Sequence, residues 1–464
     1  MSPLPYTPSK QLQYHLSGRK LLETEIPFPA EWLKTCRQNG WIHEEKGISG
    51  EYPDCTCKRC GNQNPHLFAA YPCAHCGEMS IYCRNCIMMG RVSSCLPLIS
   101  WTGPEPEFTP PHAPLQWAGQ LSKGQQAASD AVLDALQHKK ELLLWAVCGA
   151  GKTEVLFAGI EAAIKAGRRV CVATPRTDVV LELTPRFRQV FPEIKVAALY
   201  GGSPDRHLWA PLVVATTHQL YRYEAAFDAI IVDEVDAFPY TYDTTLQKAV
   251  QKAAKKDCAR IFLTATPNEK WQQECQAGKR SHVMIPARFH RHPLPVPVMK
   301  WIGNWRRAFE KGRLPGNIEA WMKRRLSESK QALVFLPNIR LMLKAAPLFQ
   351  ALDEKIEWVH AEDPDRKQKV ENMRAQKTPI LLTTTILERG VTFPNIDVAV
   401  VGAEDEIFTE AALVQIAGRA GRSPAFPSGE VTFFHYGRTK AMLKAVRHIA
   451  SMNEEARKRG LVDE

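Results

Sequence analysis

Short apolar runs rich in β-branched residues alternate with helical stretches along two successive parts of this chain. RRVCVATP, APLVVATT and FDAIIVDE belong to the first series, and QALVFLP, TPILLTTT and IDVAVVG belong to the second. Such alternation is typical of a parallel sheet with helices on both faces. The sequence therefore predicts an α/β fold with two sheet-containing lobes in tandem.

Changes in composition predict the domain boundaries. A Pro-rich stretch without periodicity predicts a linker before the first lobe, and three closely spaced prolines predict another between the lobes. We expect an N-terminal arm (1–50), a cysteine-rich module (51–100), a linker (101–114), a first lobe (115–287), a second linker (288–297) and a second lobe (298–464).

The overall charge favours a polyanionic partner. The chain carries a net charge of +11, with a pI near 9.0, and cations placed on phosphates release condensed counterions. No apolar run reaches the ~18 residues that a membrane span needs, and the first residues lack the apolar core of a signal peptide. We therefore expect a cytoplasmic location.

A glycine-rich turn joins a predicted strand to a predicted helix in ELLLWAVCGAGKTEVLF. In this context backbone N–H groups would surround phosphates, Lys152 would reach the β/γ oxygens of ATP, and Thr153 would bind Mg²⁺. Ala146 occupies the first position of the Gly-x-x-x-x-Gly-Lys-Thr pattern and is small enough for the loop. The predicted nucleotide-binding residues here are Gly149, Ala150, Gly151, Lys152, Thr153 and Glu154.

A pair of carboxylates follows another apolar strand in FDAIIVDEVD. Open α/β sheets bind ligands at the carboxyl ends of their strands. Asp233 would hold Mg²⁺ through water, and Glu234 would orient the water that attacks the γ-phosphate.

The motif order resembles that of superfamily 2 helicases. WAVCGAGKTE, TPRTDVVLELTPR, TTHQL, DEVD, TATP, TTTILERGVTFP and QIAGRAGR occur in that sequence. The resemblance implies two RecA-like lobes with ATP between them, and Gln125 of LSKGQ reading the adenine. It further implies that Arg419 and Arg422 neutralise charge on the γ-phosphate, with Gln415 beside them.

The same resemblance places nucleic-acid contacts on both lobes. Because hydroxyls, backbone N–H groups and Arg suit phosphates better than base edges, we expect binding without sequence preference. Thr264 and Thr266 of TATP would couple hydrolysis to lobe movement. The implied contact residues are Thr174, Pro175, Arg176, Thr216, Thr217, Gln219, Thr383, Thr384 and Arg389.

Three Cys-x-x-Cys pairs lie between the arm and the linker. Clustered cysteines with this spacing favour zinc over disulfides in a reducing compartment. Eight cysteines can hold two ions, with Cys55 and Cys95 completing a second site with the middle pair. The three pairs are Cys57 with Cys60, Cys73 with Cys76, and Cys83 with Cys86.

The cysteine module joined to this motor resembles the late competence ComFA family of naturally transformable Gram-positive bacteria, through CKRCG, YCRNCIMMGRV, PRTDVVLEL and DEVDAFPY. The resemblance implies a DNA-dependent ATPase at the inner face of the cell membrane that helps draw single-stranded transforming DNA through the uptake channel, with other competence proteins as partners. It also implies that the outer pairs, Cys57, Cys60, Cys83 and Cys86, are the zinc ligands.

Two other functions remain open from the sequence. One is a PriA-like helicase for replication restart or repair, which would need a strand-separating wedge. The other is a nucleotide-gated scaffold, against which the intact Glu234, Arg419 and Arg422 argue. In every case we expect the all-thiolate zinc module to take no part in hydrolysis, because such a site leaves no position for a catalytic water.

Overall fold

Residues 9–388 and 393–463 are described by the computed structural model of the chain. They divide into two compact units. The first comprises the residues up to 120 together with 129–143 and 155–263, and the second comprises 121–128, 144–154 and 264 onward. The phosphate loop therefore belongs to the same compact unit as the C-terminal half of the chain.

The N-terminal hundred residues form small antiparallel sheets and two short helices. β7 pairs with both β1 and β2, so the predicted arm and the predicted cysteine module share one sheet. Two further antiparallel pairs, β3 with β4 and β5 with β6, carry Cys57 and Cys83 and lie close in sequence to the other clustered cysteines. The elements are α1 (Lys10–Leu16), β1 (Lys20–Leu22), α2 (Ala30–Gln38), β2 (Ile42–Lys46), β3 (Ile48–Ser49), β4 (Thr56–Cys57), β5 (Phe68–Pro72), β6 (Met79–Cys83) and β7 (Pro97–Trp101).

The first RecA-like sheet contains seven strands among the described residues, in the order β10-β11-β9-β12-β13-β8-β14. The pairs from β10 through β13 are parallel, and their apolar residues are buried as expected for a sheet covered on both faces. The elements are α3 (Lys123–Gln137), β8 (Glu141–Ala146), α4 (Lys152–Val155), α5 (Phe157–Lys165), β9 (Val170–Thr174), α6 (Thr177–Val190), β10 (Val196–Leu199), β11 (Leu212–Thr216), β12 (Phe227–Val232), α7 (Thr244–Ala253), β13 (Ala254–Thr264), α8 (Glu269–Gln276) and β14 (His282–Ile285).

The second RecA-like sheet has six parallel strands among the described residues, in the order β15-β20-β19-β16-β18-β17. Its core includes the buried side chains of Trp305, Trp321 and Phe349. The elements are β15 (Val298–Trp301), α9 (Trp305–Glu310), α10 (Gly316–Ser327), β16 (Gln331–Phe335), α11 (Ile339–Gln350), β17 (Glu357–Val359), α12 (Arg366–Arg374), β18 (Ile380–Thr383), β19 (Ile396–Val401), α13 (Glu410–Ala417), β20 (Val431–His435) and α14 (Lys440–Lys458).

The predicted class, two tandem parallel-sheet lobes with an N-terminal cysteine cluster, is confirmed. In the described part of the chain, no helix combines the length and the apolar content that crossing a bilayer requires.

Candidate nucleotide site and cysteine module

The phosphate loop lies between the end of β8 at Ala146 and the start of α4 at Lys152. Gly151 has a φ of +72°, and a Cβ added there would lie 2.3 Å from the Gln125 side-chain nitrogen. Leu156 keeps α-helical backbone angles, so helical backbone continues from Lys152 through α5. The glycine is thus required by both conformation and space, and the loop opens onto a helix start as the sequence predicts.

Gln125 is buried against this loop. Its Nε2 donates to the carbonyl of Ala150 at 3.0 Å, and its Oε1 accepts from the backbone N–H of Ser122 at 2.8 Å. The carboxamide therefore braces the phosphate loop from the start of α3. Its implied contact with adenine stays a prediction.

The QIAGRAGR segment touches the phosphate loop within the second compact unit. The thiol of Cys148 donates to Oε1 of Gln415 at 3.0 Å. A Cβ added at Gly418 would lie 2.5 Å from Cβ of Cys148. Because only a glycine permits this approach, the sequence of α13 and its C-terminus is fitted to the loop it contacts.

Arg288 is a residue of this contact that the sequence did not single out. It is 1% exposed, and its guanidinium donates to the carbonyl of Ala420 at 2.8 Å and to that of Gly421. Its Cγ lies 3.6 Å from the position of a Cβ at Gly149. Burial lowers the pKa of Arg288 to about 10. The residue begins the predicted second linker, and no motif marked it as different from any other basic residue there.

The two arginines of QIAGRAGR bind backbone carbonyls in this structure. Nε of Arg419 donates to the carbonyl of Glu388 at 2.9 Å, and the Arg419 side chain is buried. Nε of Arg422 donates to the carbonyl of Gly418 at 2.9 Å. Their implied action on a γ-phosphate remains a prediction.

Asp233 and Glu234 follow β12 directly. The backbone N–H of Glu234 donates to Oδ1 of Asp233 at 2.8 Å, and Glu234 has a φ of +56°. A non-glycine residue in this left-handed region carries a conformational cost. The turn thus places two successive carboxylates at the carboxyl end of β12.

The predicted nucleic-acid positions also lie at strand ends. Thr174 ends β9 and pairs in register with Thr216, which ends β11. Thr174 and Thr217 are fully buried, and the hydroxyl of Thr383 donates to the carbonyl of Val359 at 3.2 Å. Because these side chains are enclosed, phosphate contact at these positions would fall to backbone N–H groups.

The remaining predicted contacts are less enclosed or not described. Arg176 caps α6 and pairs with Asp178 at 3.3 Å, directly after Pro175. Thr384 is 9% exposed. Arg389 lies outside the described residues. In the TATP turn, the hydroxyl of Thr264 accepts from the backbone N–H of Thr266 at 2.9 Å.

Cys57, Cys60, Cys83 and Cys86 are all buried, with their sulfurs within 4.8 Å of one another. The Sγ atoms of Cys57 and Cys86 are 3.8 Å apart, and those of Cys60 and Cys83 are 3.7 Å apart. Four sulfurs around zinc at ~2.3 Å form a tetrahedron with edges of about 3.8 Å. The four thiols therefore fit a tetrahedral zinc ion, and they are the ligand set implied by the family resemblance.

This knuckle contacts the first lobe through Asn85, which lies between its last two cysteines. Nδ2 of Asn85 donates to the hydroxyl of Thr245 at 3.1 Å and lies 3.5 Å from the hydroxyl of Tyr221. Lys252 donates to the backbone carbonyls of Arg59 and Tyr221. Burial lowers the pKa of Lys252 to about 8. The cysteine module is thus packed on the segment that carries TTHQL.

A second contact joins the module to that segment through Glu25 of the arm. The carboxylate of Glu25 accepts from Arg59 at 2.6 and 2.7 Å and from Arg222 at 2.7 Å. Arg222 also donates to the carbonyl of Met89 at 3.0 Å and to Oε1 of Gln219 at 2.6 Å. Gln219, one of the predicted nucleic-acid contacts, is therefore held by an arginine that the module fixes.

Comparison with known proteins covers both the module and the lobes. The family profile for the competence protein ComFA N-terminal domain matches residues 6–100. Those for the type III restriction enzyme res subunit and the helicase conserved C-terminal domain match residues 119–269 and 317–424. The chain is 47% identical over 450 residues to competence protein ComFA of Bacillus subtilis strain 168, covering 97% of this chain and 96% of that protein. The chain belongs to the ComFA family.

A second relative supports the family, and two solved structures support the fold. Competence protein ComFA of Streptococcus pneumoniae R6 is 40% identical over 81% of this chain and 86% of its own length. Yeast Dbp5 bound to RNA and ADP–BeF3 superimposes with a TM-score of 0.51 at 15% identity, over 74% of this chain and 94% of its own. RecG bound to a three-way DNA junction superimposes with a TM-score of 0.51 at 16% identity, over 72% of this chain and 45% of its own. The two structures establish the fold alone. The chain is a competence-associated, superfamily 2 helicase-like ATPase.

Proposed function

We propose that this ComFA-family chain is an ATP-driven motor that moves along single-stranded DNA and powers uptake of transforming DNA across the cytoplasmic membrane. The observation that carries the motor is the contact of the phosphate loop with QIAGRAGR, through Cys148, Gln415 and Gly418. A loop that binds phosphates changes its surroundings when ATP is bound or hydrolysed. A segment packed on it is placed to respond.

The chemistry assigned to each residue follows from its position. Lys152 and the loop N–H groups would bind the β/γ-phosphates, while Thr153 and Asp233 would hold Mg²⁺. Glu234 would orient the attacking water. Mg²⁺ supplies charge neutralisation between the β- and γ-phosphates. Arg419 and Arg422 would leave their backbone carbonyl partners to stabilise charge on the transferred phosphoryl group, an effect worth roughly 10³-fold or more in rate.

The choice of DNA and of uptake as the cellular process rests on the relatives. The two ComFA proteins match most of this chain, and the net charge of +11 suits a polyanion. The partners proposed with it are the DNA-uptake channel and other competence proteins, through which the chain would lie at the inner face of the membrane. The zinc module would hold the TTHQL segment for DNA contact through Asn85 and Arg222.

The test is steady-state ATP turnover of the full chain with homopolymeric DNA, homopolymeric RNA and forked duplex DNA across a salt series. We expect stimulation by single-stranded DNA of any sequence, weaker at higher salt because phosphate contacts release counterions. Activation by RNA alone would contradict the DNA assignment. Efficient unwinding of the fork would favour the PriA-like restart or repair helicase instead. DNA binding without any turnover would favour the nucleotide-gated scaffold.

A further inference from the structure

A second group of thiols lies apart from the four-cysteine site in the described part of the module. The sulfurs of Cys73, Cys76 and Cys95 lie within 4.8 Å of one another, and those of Cys73 and Cys95 are 3.5 Å apart. Cys73 is buried, while Cys76 is exposed. Cys55, which the sequence offered as a fourth ligand, belongs to neither group. Cys95 therefore lies with the middle pair, as a second site would require, whereas Cys55 lies outside that group.

The backbone around Cys73 repeats the backbone of the first zinc knuckle. In the first, the N–H of Gly61 donates to the carbonyl of Cys57 at 2.9 Å, and the N–H of Cys57 donates to that of Asn62 at 3.0 Å. In the second, Gly77 donates to Cys73 at 2.8 Å, and Cys73 donates to Glu78 at 2.9 Å. Both glycines have a φ of +72°. Two turns of identical pattern each place a Cys-x-x-Cys pair on one side.

The surroundings of the Cys73 sulfur suit a thiolate. The backbone N–H groups of Cys76 and His75 and the hydroxyl of Tyr71 are its hydrogen-bond partners. Backbone N–H groups aimed at a cysteine sulfur are the usual surroundings of a metal-bound thiolate. Three soft sulfur ligands select zinc over hard cations such as Mg²⁺ or Ca²⁺.

We infer that Cys73, Cys76 and Cys95 form a second zinc site, bound by three thiolates with its fourth position open to solvent beside the exposed Cys76. β6 begins three residues after Cys76 and ends at Cys83 of the first site. The two ions would thus sit at opposite ends of the β5–β6 hairpin. A two-stranded hairpin of this length is marginal by itself, so an ion at its tip supplies order that apolar packing does not.

The open coordination position should make zinc leave the second site faster than the first. Four buried thiolates exclude a chelator, whereas a three-thiolate site with a solvent-facing position admits one. Zinc should therefore leave the full chain in two phases when a chromogenic chelator is added, with the faster phase coming from the second site. Thiol alkylation during the fast phase should label Cys73, Cys76 and Cys95 before any cysteine of the first site.

The experiment is zinc analysis of the full chain purified under reducing conditions without chelator, for wild type, Cys73→Ser with Cys95→Ser, and the control Cys55→Ala. We expect about two zinc ions per chain in wild type and in the control, and about one, released only slowly, in the double variant. One zinc per wild-type chain would overturn the site, as would two in the double variant. A Cys73–Cys95 disulfide in the reduced wild-type protein would also overturn it. The alkylation order in wild type decides the matter if the double variant does not fold.

Discussion

At the scale of single residues, we propose that the phosphate loop and the carboxylate turn carry the chemistry. We expect Lys152→Ala and Glu234→Gln each to abolish ATP turnover without unfolding the chain, because charge and positioning at the γ-phosphate supply nearly all of phosphoryl-transfer catalysis. Steady-state turnover with saturating single-stranded DNA measures this, and circular dichroism checks the fold. Activity within a few-fold of wild type in either variant would rule out the assigned nucleotide site.

A substitution at Gly418 tests whether ATP hydrolysis depends on the contact between the phosphate loop and QIAGRAGR. Its added Cβ would lie 2.5 Å from Cβ of Cys148, so Gly418→Ala must push the two segments apart. Overpacking of this kind costs ~1–3 kcal/mol. If that cost falls on the catalytic arrangement, we expect turnover to drop by roughly ten-fold or more.

The matched control is Gly437→Ala, where an added Cβ meets no atom within 4 Å among the described residues. It should leave turnover unchanged. Equal rates in the Gly418 and Gly437 variants would mean that the contact is incidental to hydrolysis.

Residue positions were predictable from the sequence where a motif has a fixed geometry. The glycine loop and the carboxylates after β12 lie where their motifs place them, and the outer cysteine pairs come together as the family resemblance implies. Arg288 was missed because its contact with the phosphate loop depends on burial beside Gly149 and on two carbonyls more than a hundred residues away. No local sequence pattern encodes such a contact. For Thr174 and Thr217 the sequence suggested hydroxyl contacts, but strand ends in a doubly covered sheet enclose such side chains.

At the scale of elements, the cysteine module and the first lobe meet at a buried charge cluster. Arg59 is fully buried, and the carboxylate of Glu25 forms ion pairs with both Arg59 and Arg222. Burial alone would raise the pKa of Glu25, but Arg59 and Arg222 hold it below its ordinary value. Glu25→Gln would leave two guanidinium groups without a counterion, and removing one partner of a buried pair costs up to about 3–5 kcal/mol.

We therefore expect Glu25→Gln to lower the melting temperature clearly, whereas the exposed Glu31→Gln on α2 should not change it. Because the folded pKa of Glu25 lies below its ordinary 4.5, the ion pairs stabilise the fold above that pH. Their contribution is lost as the pH falls through the folded value. The difference in unfolding free energy between wild type and Glu25→Gln should shrink with acidification below about pH 4.5. A difference that stays constant would show that the charge of Glu25 is not what stabilises the contact.

The position of the module could not be predicted from the sequence. The Pro-rich stretch gave no reason to expect contact, and the lobes were expected to hydrolyse ATP without the module. That expectation stays a prediction. The structure adds that removing the arm and the module would uncover Arg222 and Lys252, because the arm supplies Glu25 and the module supplies the carbonyl of Arg59. Such long-range contacts depend on the folded chain and leave no periodic trace in the sequence.

At the scale of the whole molecule, the fold class followed from the alternation of strands and helices, and the family resemblance followed from the cysteine module joined to the helicase motifs. The fold class was predictable because each lobe repeats one local rule, a parallel strand followed by a covering helix. The division into compact units was not predictable in the same way. Residues 144–154 belong to the unit of the C-terminal half because of contacts such as that of Cys148 with Gln415.

The central claim, that ATP hydrolysis moves this chain along single-stranded DNA, is tested most directly by displacement of streptavidin from biotinylated single strands. The full chain would be mixed with strands labelled at either the 5′ or the 3′ end, with ATP, with ADP, and with the Glu234→Gln variant and ATP. We predict displacement from one end only, with ATP and wild-type chain alone, since directional movement pushes in one sense. DNA-stimulated ATP turnover with no displacement from either end would contradict the claim.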